Sequence, residues 1–434
     1  MRHFRHIFIF IFMVVFVFGT AVIHSLVTEF DDSFGTNGLV TTPGYFNANE
    51  MALQNDGKIV VATTEGTLLR YLPDGTLDNS FGAAGVAIMV ITDDWRNGRY
   101  VSNLTITDVT VLSSGKILVV GYTTTGDFDW NTPDIIAIRF LSNGDVDTTF
   151  GYEGLARINI NYTDSASAVV ERPNGKLIVV GYSSAPPPSN LSPIVLQLTE
   201  NGTLDDTFGT NGATQPLIGA NGSSHGVVLQ NDNKIVATGT TIISGKPNGL
   251  VIRYTENGLI DTTFSGDGYA LLDIGSANTV GWHSAVNSTG DLLVSGRFNN
   301  GSDDDFYLAK FDDGGNLDMS FGTNGVATSD FGAVGFLPGG MALDQLGRAV
   351  VTGESDSHIF VARYSLSGVL DTSFETNGFL AIPIGSGSRG ADLLIQPVDN
   401  KIVVLGNSSS SNLAVLARLK EENISKVYLP LVVR

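Results

Sequence analysis

Leu370-Asp371-Thr372-Ser373-Phe374, followed by Gly378, is one of seven near-copies of a single pattern. The phenylalanines of the copies are Phe34, Phe81, Phe150, Phe208, Phe264, Phe321 and Phe374. Three residues ahead of them stand Asp31, Asp78, Asp147, Asp205, Asp261, Asp318 and Asp371. Ser or Thr precedes each phenylalanine, and a glycine stands four residues after it. Asp with Ser or Thr two positions on is turn chemistry, because both side chains bond nearby backbone N–H groups. The glycine supplies a backbone conformation that a Cβ resists, and the phenylalanine plugs the turn. Seven copies make this a structural device rather than seven catalytic sites. A spacing of 47 to 69 residues without helical periodicity points to a propeller or another repeat array.

Between the turns the chain reads as four strands, A to D. Strand A follows the turn glycine, and strand B is short and ends in a hairpin signal. Strand C is a continuous β-branched run, as in Lys58-Ile59-Val60-Val61-Ala62 and Lys116-Ile117-Leu118-Val119-Val120. Such a run predicts burial on both faces, as when blades stack. Strand D carries a basic residue eight positions before the next turn aspartate: Arg70, Arg139, Arg253, Lys310 and Arg363, with Gln197 as the exception. These are expected to be exposed ion pairs, one per blade, worth ~0–1 kcal/mol each.

The basic position of strand D stands 11 residues before the next phenylalanine wherever a turn follows, whereas the A–B and C–D connections vary in length. One end of the ring is therefore rigid and the other variable. The first turn, Phe30 to Phe34, precedes any complete blade, and the last blade ends at Arg418 without a turn. A closed ring would put Asp31 beside Arg418, leaving no exposed sheet edge at the ends of the array. The predicted fold is all-β: a seven-bladed β-propeller of four-stranded antiparallel blades, closed by the N-terminal turn.

Repeats such as Leu370 to Leu380 and Asn201 to Gly212 resemble the delta-60 repeat family of bacterial surface and secreted proteins. The resemblance spans about residues 28–422. It implies a β-propeller and an exported location, and it brings no catalytic residues. Ser265 and Glu375 replace the usual glycine after the phenylalanine, which is expected to loosen those two turns.

The chain carries 24 basic and 44 acidic residues, a net charge of −20. Such a surface repels phosphate backbones and anionic membranes, so neither nucleic acid nor a membrane is an expected partner beyond the N-terminal segment. Cysteine is absent, so disulfides and thiolate metal sites are excluded. Arg2 and Arg5, the apolar run Ile7 to Phe18 and the small residues Gly19-Thr20-Ala21 read as a signal peptide over residues 1–21. The alternative is an uncleaved anchor, although a spanning helix needs ~20 apolar residues. The expected location is secreted or cell-surface, and the expected state a monomer. Residues 28–422 form the propeller. The tail, residues 423–434, resembles the YLPL endings of many secreted bacterial proteins, or forms an extra edge strand.

Two enzyme patterns occur, and both read as accidents of a chain with 51 glycines. Gly222 to Gly226 matches G-x-S-x-G without a following helix, and Gly385 to Gly390 matches G-x-G-x-x-G without a βαβ unit. Asp127, Asp129 and Asn131 have the alternate spacing of calcium ligands, but the loop lacks the glycine and glutamate that complete such sites. No cofactor is expected, calcium being the one candidate. Tryptophans and post-signal histidines all fall in A–B or C–D segments, on the variable end. Trp95, Arg96, Tyr100, Phe128, Trp130, Trp282 and His283 are the candidate ligand-binding set, aromatics beside polar groups being suited to stacking. The alternative is that they pack their own loops. The expected function is a non-enzymatic extracellular binding or scaffold propeller facing a glycan, peptide or surface protein. The alternative is a secreted hydrolase or lyase with an acidic, calcium-assisted channel site.

Overall fold

A computed structural model describes residues 30–45, 47–88, 102–127, 130–187, 189–275, 278–332, 337–355, 358–375, 377–382, 384 and 387–420. They form seven antiparallel sheets of four strands. Blade 1 is β2 (Ala48–Leu53), β3 (Ile59–Thr63), β4 (Thr67–Tyr71) and β5 (Val86–Ile88). Blade 2 is β6 (Ser102–Val111), β7 (Ile117–Asp127), β8 (Trp130–Phe140) and β9 (Leu155–Ile158). Blade 3 is β10 (Thr163–Glu171), β11 (Leu177–Ser184), β12 (Ser192–Leu198) and β13 (Ala213–Thr214). Blade 4 is β14 (Ala220–Leu229), β15 (Ile235–Ile243), β16 (Lys246–Tyr254) and β17 (Tyr269–Leu272). Blade 5 is β18 (Thr279–Val286), β19 (Leu292–Asn299), β20 (Asp304–Phe311) and β21 (Val326–Ser329). Blade 6 is β22 (Leu337–Leu343), β23 (Ala349–Ser355), β24 (His358–Tyr364) and β25 (Phe379–Ile382). Blade 7 is β26 (Ser388–Ile395), β27 (Ile402–Ser408) and β28 (Leu413–Arg418), completed by β1 (Leu39–Pro43) from the other end of the chain. The first strand of each blade touches the first strand of the next around the whole ring.

The seven turns share one geometry. One carboxylate oxygen of each aspartate accepts the N–H and hydroxyl of the following Ser or Thr, as Ser33 gives to Asp31 and Thr149 to Asp147. The glycine four residues after the phenylalanine has φ between 81° and 94°, the left-handed region. That reversal lays strand A back on the strand D just before it. Strand A therefore closes the preceding blade, where the sequence reading counted it as the first strand of its own. Ser265 and Glu375 keep the turn conformation, at φ 53° and 48°, instead of loosening it.

The pairs of Arg70, Arg139, Arg253 and Arg418 are buried, and those of Arg363 and Lys310 are half-buried, which corrects the expectation of exposed ones. Arg70 donates to Asp78 at 2.9 Å, Arg139 to Asp147 at 2.6 Å, Arg253 to Asp261 at 2.8 Å and Arg363 to Asp371 at 2.9 Å. In five blades the guanidinium also stacks on the turn phenylalanine, 4.5 to 4.8 Å from the ring centre. Arg70, Arg139 and Arg253 further donate to the carbonyls of Ser142, Glu200 and Asp313 in the next blade. Each such arginine thus ties its own turn to its neighbour's. Breaking a buried pair of this kind costs about 3–5 kcal/mol. Burial pushes the Asp261 carboxyl up, but hydrogen bonds from Thr263 and the charges of Arg253 and Lys234 bring it down to about 2.

Blade 3 solves the same problem with the residues exchanged. Gln197 donates to Asp205 at 2.6 Å, and Arg172, at the end of the inner strand, donates to Gln197 at 2.8 Å and to the Glu256 carbonyl at 2.5 Å. In blade 4 the positions are reversed, with Arg253 outside and Gln230 inside. The exception in the sequence pattern is a swap.

The core lies between blades, in apolar clusters that each join adjacent sheets. Ile59 to Thr63 are buried throughout, as the continuous apolar run predicted. The cluster containing Phe34, Leu393, Val404 and Ile59 spans blades 6, 7 and 1. There β1 pairs with β28 from Leu39↔Ala417 to Pro43↔Leu413. Arg418 Nε donates to Asp31 at 2.8 Å, as a closed ring requires.

Candidate functional site

Six of the seven inner strands share a β-bulge at one level, and β22 carries a longer irregularity there. The extra residues are Asn49, Thr107, Ser167, His225, Trp282, Gly339 and Ala391. All seven line one cavity of about 670 Å³ at the mouth of the central channel. It opens on the variable end, since Thr64, Glu354 and Ser409, from that end of the second strands, complete its wall. A bulge leaves its extra residue outside the ladder and turns it toward the edge. On an innermost strand that edge is the channel. Backbone room for the bulges comes from glycines on the second strands: a Cβ at Gly121, Gly181 or Gly239 would lie 1.9 Å from a carbonyl oxygen of the inner strand.

Bulge side chains also join the blades. Asn49 Nδ2 donates to the Ile106 carbonyl at 3.0 Å, and Thr107 Oγ1 to the Ala166 carbonyl at 3.1 Å. His225 Nδ1 lies 2.8 Å from the Gly281 carbonyl, which can only accept, so the proton is on Nδ1. Nε2 then accepts from the Ser223 hydroxyl at 2.8 Å. Burial lowers the His225 pKa. Burial, and then the nearby His225, push the His283 imidazole down to about 4 against the Gly339 carbonyl. Both rings are neutral at pH 7.

The ring is chemically lopsided. Blades 4 and 5 give it an aromatic side, where His225 and Trp282 stand with ring centres 5.0 Å apart. Blades 7, 1 and 2 give it an acidic side, with Asp392, Glu50 and Asp108 each directly after the bulge residue. Asp392 accepts the Met51 N–H at 3.0 Å and Asp108 the Val169 N–H at 2.7 Å, each clamping the next blade. Burial raises both carboxyls to about 7. Burial, then Asp392 and Asp108, push Glu50 well above its ordinary range, and Arg389 opposes them.

Of the sequence-predicted ligand residues, Trp282 and His283 lie in β18 at the channel, not in a loop. His225 likewise lies in β14. Trp95, Arg96, Tyr100 and Phe128 lie outside the described residues. Trp130 opens β8, opposite Asp127 at the tip of the blade 2 hairpin, and Asn131 pairs with Gly126; Asp129 lies outside the described residues. Among the described residues, no three His, Asp or Glu side chains group closely enough to hold a metal ion. The Gly222 to Gly226 motif is part of an inner strand, without the strand-turn-helix of a nucleophile elbow. Sequence reasoning missed Glu50, Asp108, Asp392 and Arg389. The glycine that ends most strand C runs, as in Val120-Gly121 and Val180-Gly181, is the signal that marks a bulge opposite and could have found them.

Five segments, residues 54–81, 112–150, 172–208, 230–264 and 347–374, match the model of a family described as a domain of unknown function (DUF5122) β-propeller. Each match ends on a turn phenylalanine. No curated protein sequence matches the chain. Among solved structures, the chain is similar to U3-55K (11% identity, 88% of this chain and 98% of that one, TM-score 0.53). It is also similar to a streptogramin B lyase (10%, 88% and 98%, TM-score 0.50). A catalytically inactive virginiamycin B lyase from Staphylococcus aureus with quinupristin gives 11%, 87% and 98%, with a TM-score of 0.49. At such identities the likeness is one of fold alone. The turn pattern, the matched segments and the seven sheets make this chain a β-propeller repeat protein.

Proposed function

We propose that the protein is a non-enzymatic binding propeller that works outside the cell and receives a glycan or peptide at its variable end, seating part of it in the channel mouth. The observation that carries this reading is the cavity of about 670 Å³ lined by all seven bulge residues. A volume of that size suits a small ligand or one unit of a larger one. Trp282 offers a stacking face, and Trp95, Arg96, Tyr100, Phe128 and Trp130 are the further ligand residues that this reading keeps from the sequence. A glycan and peptide array probed with the native protein and with Trp282→Ala tests it. Binding that falls about tenfold in the variant, at an unchanged melting temperature, is the expected result. Equal binding by the two would refute the reading. Export rests on Arg2, Arg5 and the Ile7 to Phe18 run, and N-terminal sequencing of the mature protein from its host checks it.

A hydrolase or lyase is the second reading, favoured by the Ser223 hydroxyl donating to a neutral His225. Ser223 is not part of the cavity wall, which favours binding instead. Labelling of Ser223 by a fluorophosphonate, abolished in His225→Ala, would overturn the non-enzymatic reading.

A further inference from the structure

Among the described residues lining the channel mouth, the three buried polar side-chain atoms without a partner are all acceptors, and two of them stand at one seam. Asn49 and Asn407 each spend their amide NH₂ on a carbonyl, that of Ile106 and that of Ala48. Those bonds fix the orientation of both amides, because a carbonyl accepts only from the NH₂ end. The two Oδ1 atoms are buried and without a partner. Both residues line the cavity, and Asn407 reaches the residue just before Asn49, so the pair stands where blade 7 meets blade 1. Glu50 comes next in the same wall. On the aromatic side, Nε2 of His283 is likewise buried and unpartnered. A buried acceptor left unmet costs about 1–3 kcal/mol. A ligand that donates, pressed into this wall, would satisfy them.

Charge selects the donor. Glu50 and Glu354 line the cavity, both histidines are neutral, and Arg389 is the one Lys or Arg side chain in the described wall. Burial, then Asp392 and Asp108, hold Glu50 in its protonated form, so a cation seated beside it would release that proton to solvent and meet a carboxylate. A hydroxyl group donates one hydrogen. A protonated amine donates three and carries the charge that a carboxylate stabilises. Building on the reading of the protein as a binding propeller, we propose that the channel mouth captures its ligand by a protonated amine, seated between Glu50 and the Oδ1 atoms of Asn49 and Asn407, with the body of the ligand against Trp282. A divalent cation suits the site less well. Arg389 stands near Glu50, and no trio of His, Asp or Glu is grouped there among the described residues.

Titration calorimetry on the mature protein tests this with ethanolamine, glucosamine and the glucosamine dimer as amines. Glucose and N-acetylglucosamine are the uncharged counterparts, and calcium chloride is the metal control. Glucosamine or its dimer should bind about tenfold more tightly than N-acetylglucosamine. Glu50→Gln should erase that preference while still melting cooperatively, and Trp282→Ala should weaken charged and neutral sugars alike. Asn407→Ser, which removes one Oδ1, is the second variant and should weaken the amines alone. Silence from every amine at millimolar concentration, equal affinity for the acetylated sugar, a preference that survives both variants, or binding of calcium alone would each overturn the proposal. Should neutral sugars bind through Trp282 while amines gain nothing, the binding-propeller reading stands and the amine falls. Should no glycan or peptide bind at all, both fall.

Discussion

Exchanging the two partners of one inter-blade bridge gives a sharp test of how the ring holds together. In blade 4, Arg253 donates to Asp261 at 2.8 Å, to Thr263 at 3.0 Å and to the Asp313 carbonyl, and it covers Phe264. Its side chain is 2% exposed. Arg253→Gln keeps a donor for Asp261, as Gln197 does for Asp205, but it loses the stack and the tie to the next blade. The buried character of the pair sets the loss at about 3 kcal/mol, against less than about 1 kcal/mol for a surface pair. Adding Gln230→Arg brings a guanidinium in from the inner strand, where blade 3 has Arg172. The double variant should recover to within about 1 kcal/mol of the native protein, a coupling of about 2 kcal/mol or more once the cost of Gln230→Arg alone is included. Gln230→Arg alone places two guanidinium groups in one slot and should destabilise. Urea unfolding of the four proteins, followed by tryptophan fluorescence, measures the cycle. A double variant no more stable than Arg253→Gln would refute the view that Arg172 and Arg253 do the same job.

Deleting residues 28–43 removes the Asp31 turn and β1, and should lower the melting temperature of the whole ring; equal melting of the two proteins would count against closure at this seam. Ser265→Gly and Glu375→Gly relieve side chains held at φ 53° and 48°, and each should stabilise by about 1 kcal/mol in urea melts. Asp108 and Asp392 titrate near 7 in the fold, pushed up by burial, so between the ordinary carboxylate pKa and 7 the folded state holds more protons than the unfolded one. Stability should therefore fall as pH rises through that window, and Asp108→Asn with Asp392→Asn should flatten the fall in a melting series. Glu50 and Arg389 face the same cluster, so Glu50→Gln should shift the midpoint of that fall downward.

The ring itself was legible because its turns need particular atoms. A carboxylate, a hydroxyl two residues on and a glycine recur wherever the chain reverses, and the match of Asp31 to Arg418 followed from the phase of the pattern. Three things were not legible. Spacing alone cannot say on which side of a turn the next strand pairs, so strand A was placed one blade late. A basic residue at the end of an apolar strand reads as exposed, until the stacking of one blade on the next covers it. The channel residues were obscured by the bulges, which interrupt the period of two and make Trp282 and His283 look like loop residues.

Pairing β1 with β28 also determines how the molecule would respond to tension. The strands run antiparallel, with Leu39 beside Ala417 and Pro43 beside Leu413, and Phe30 bridges Leu419. Both ends of the ring thus leave from the same end of that ladder. A pull between them loads the Asp31–Arg418 contact first and then the ladder one rung after another, like a zip rather than a sheared lap joint. The clasp that resists thermal opening would be the first part to part under mechanical load.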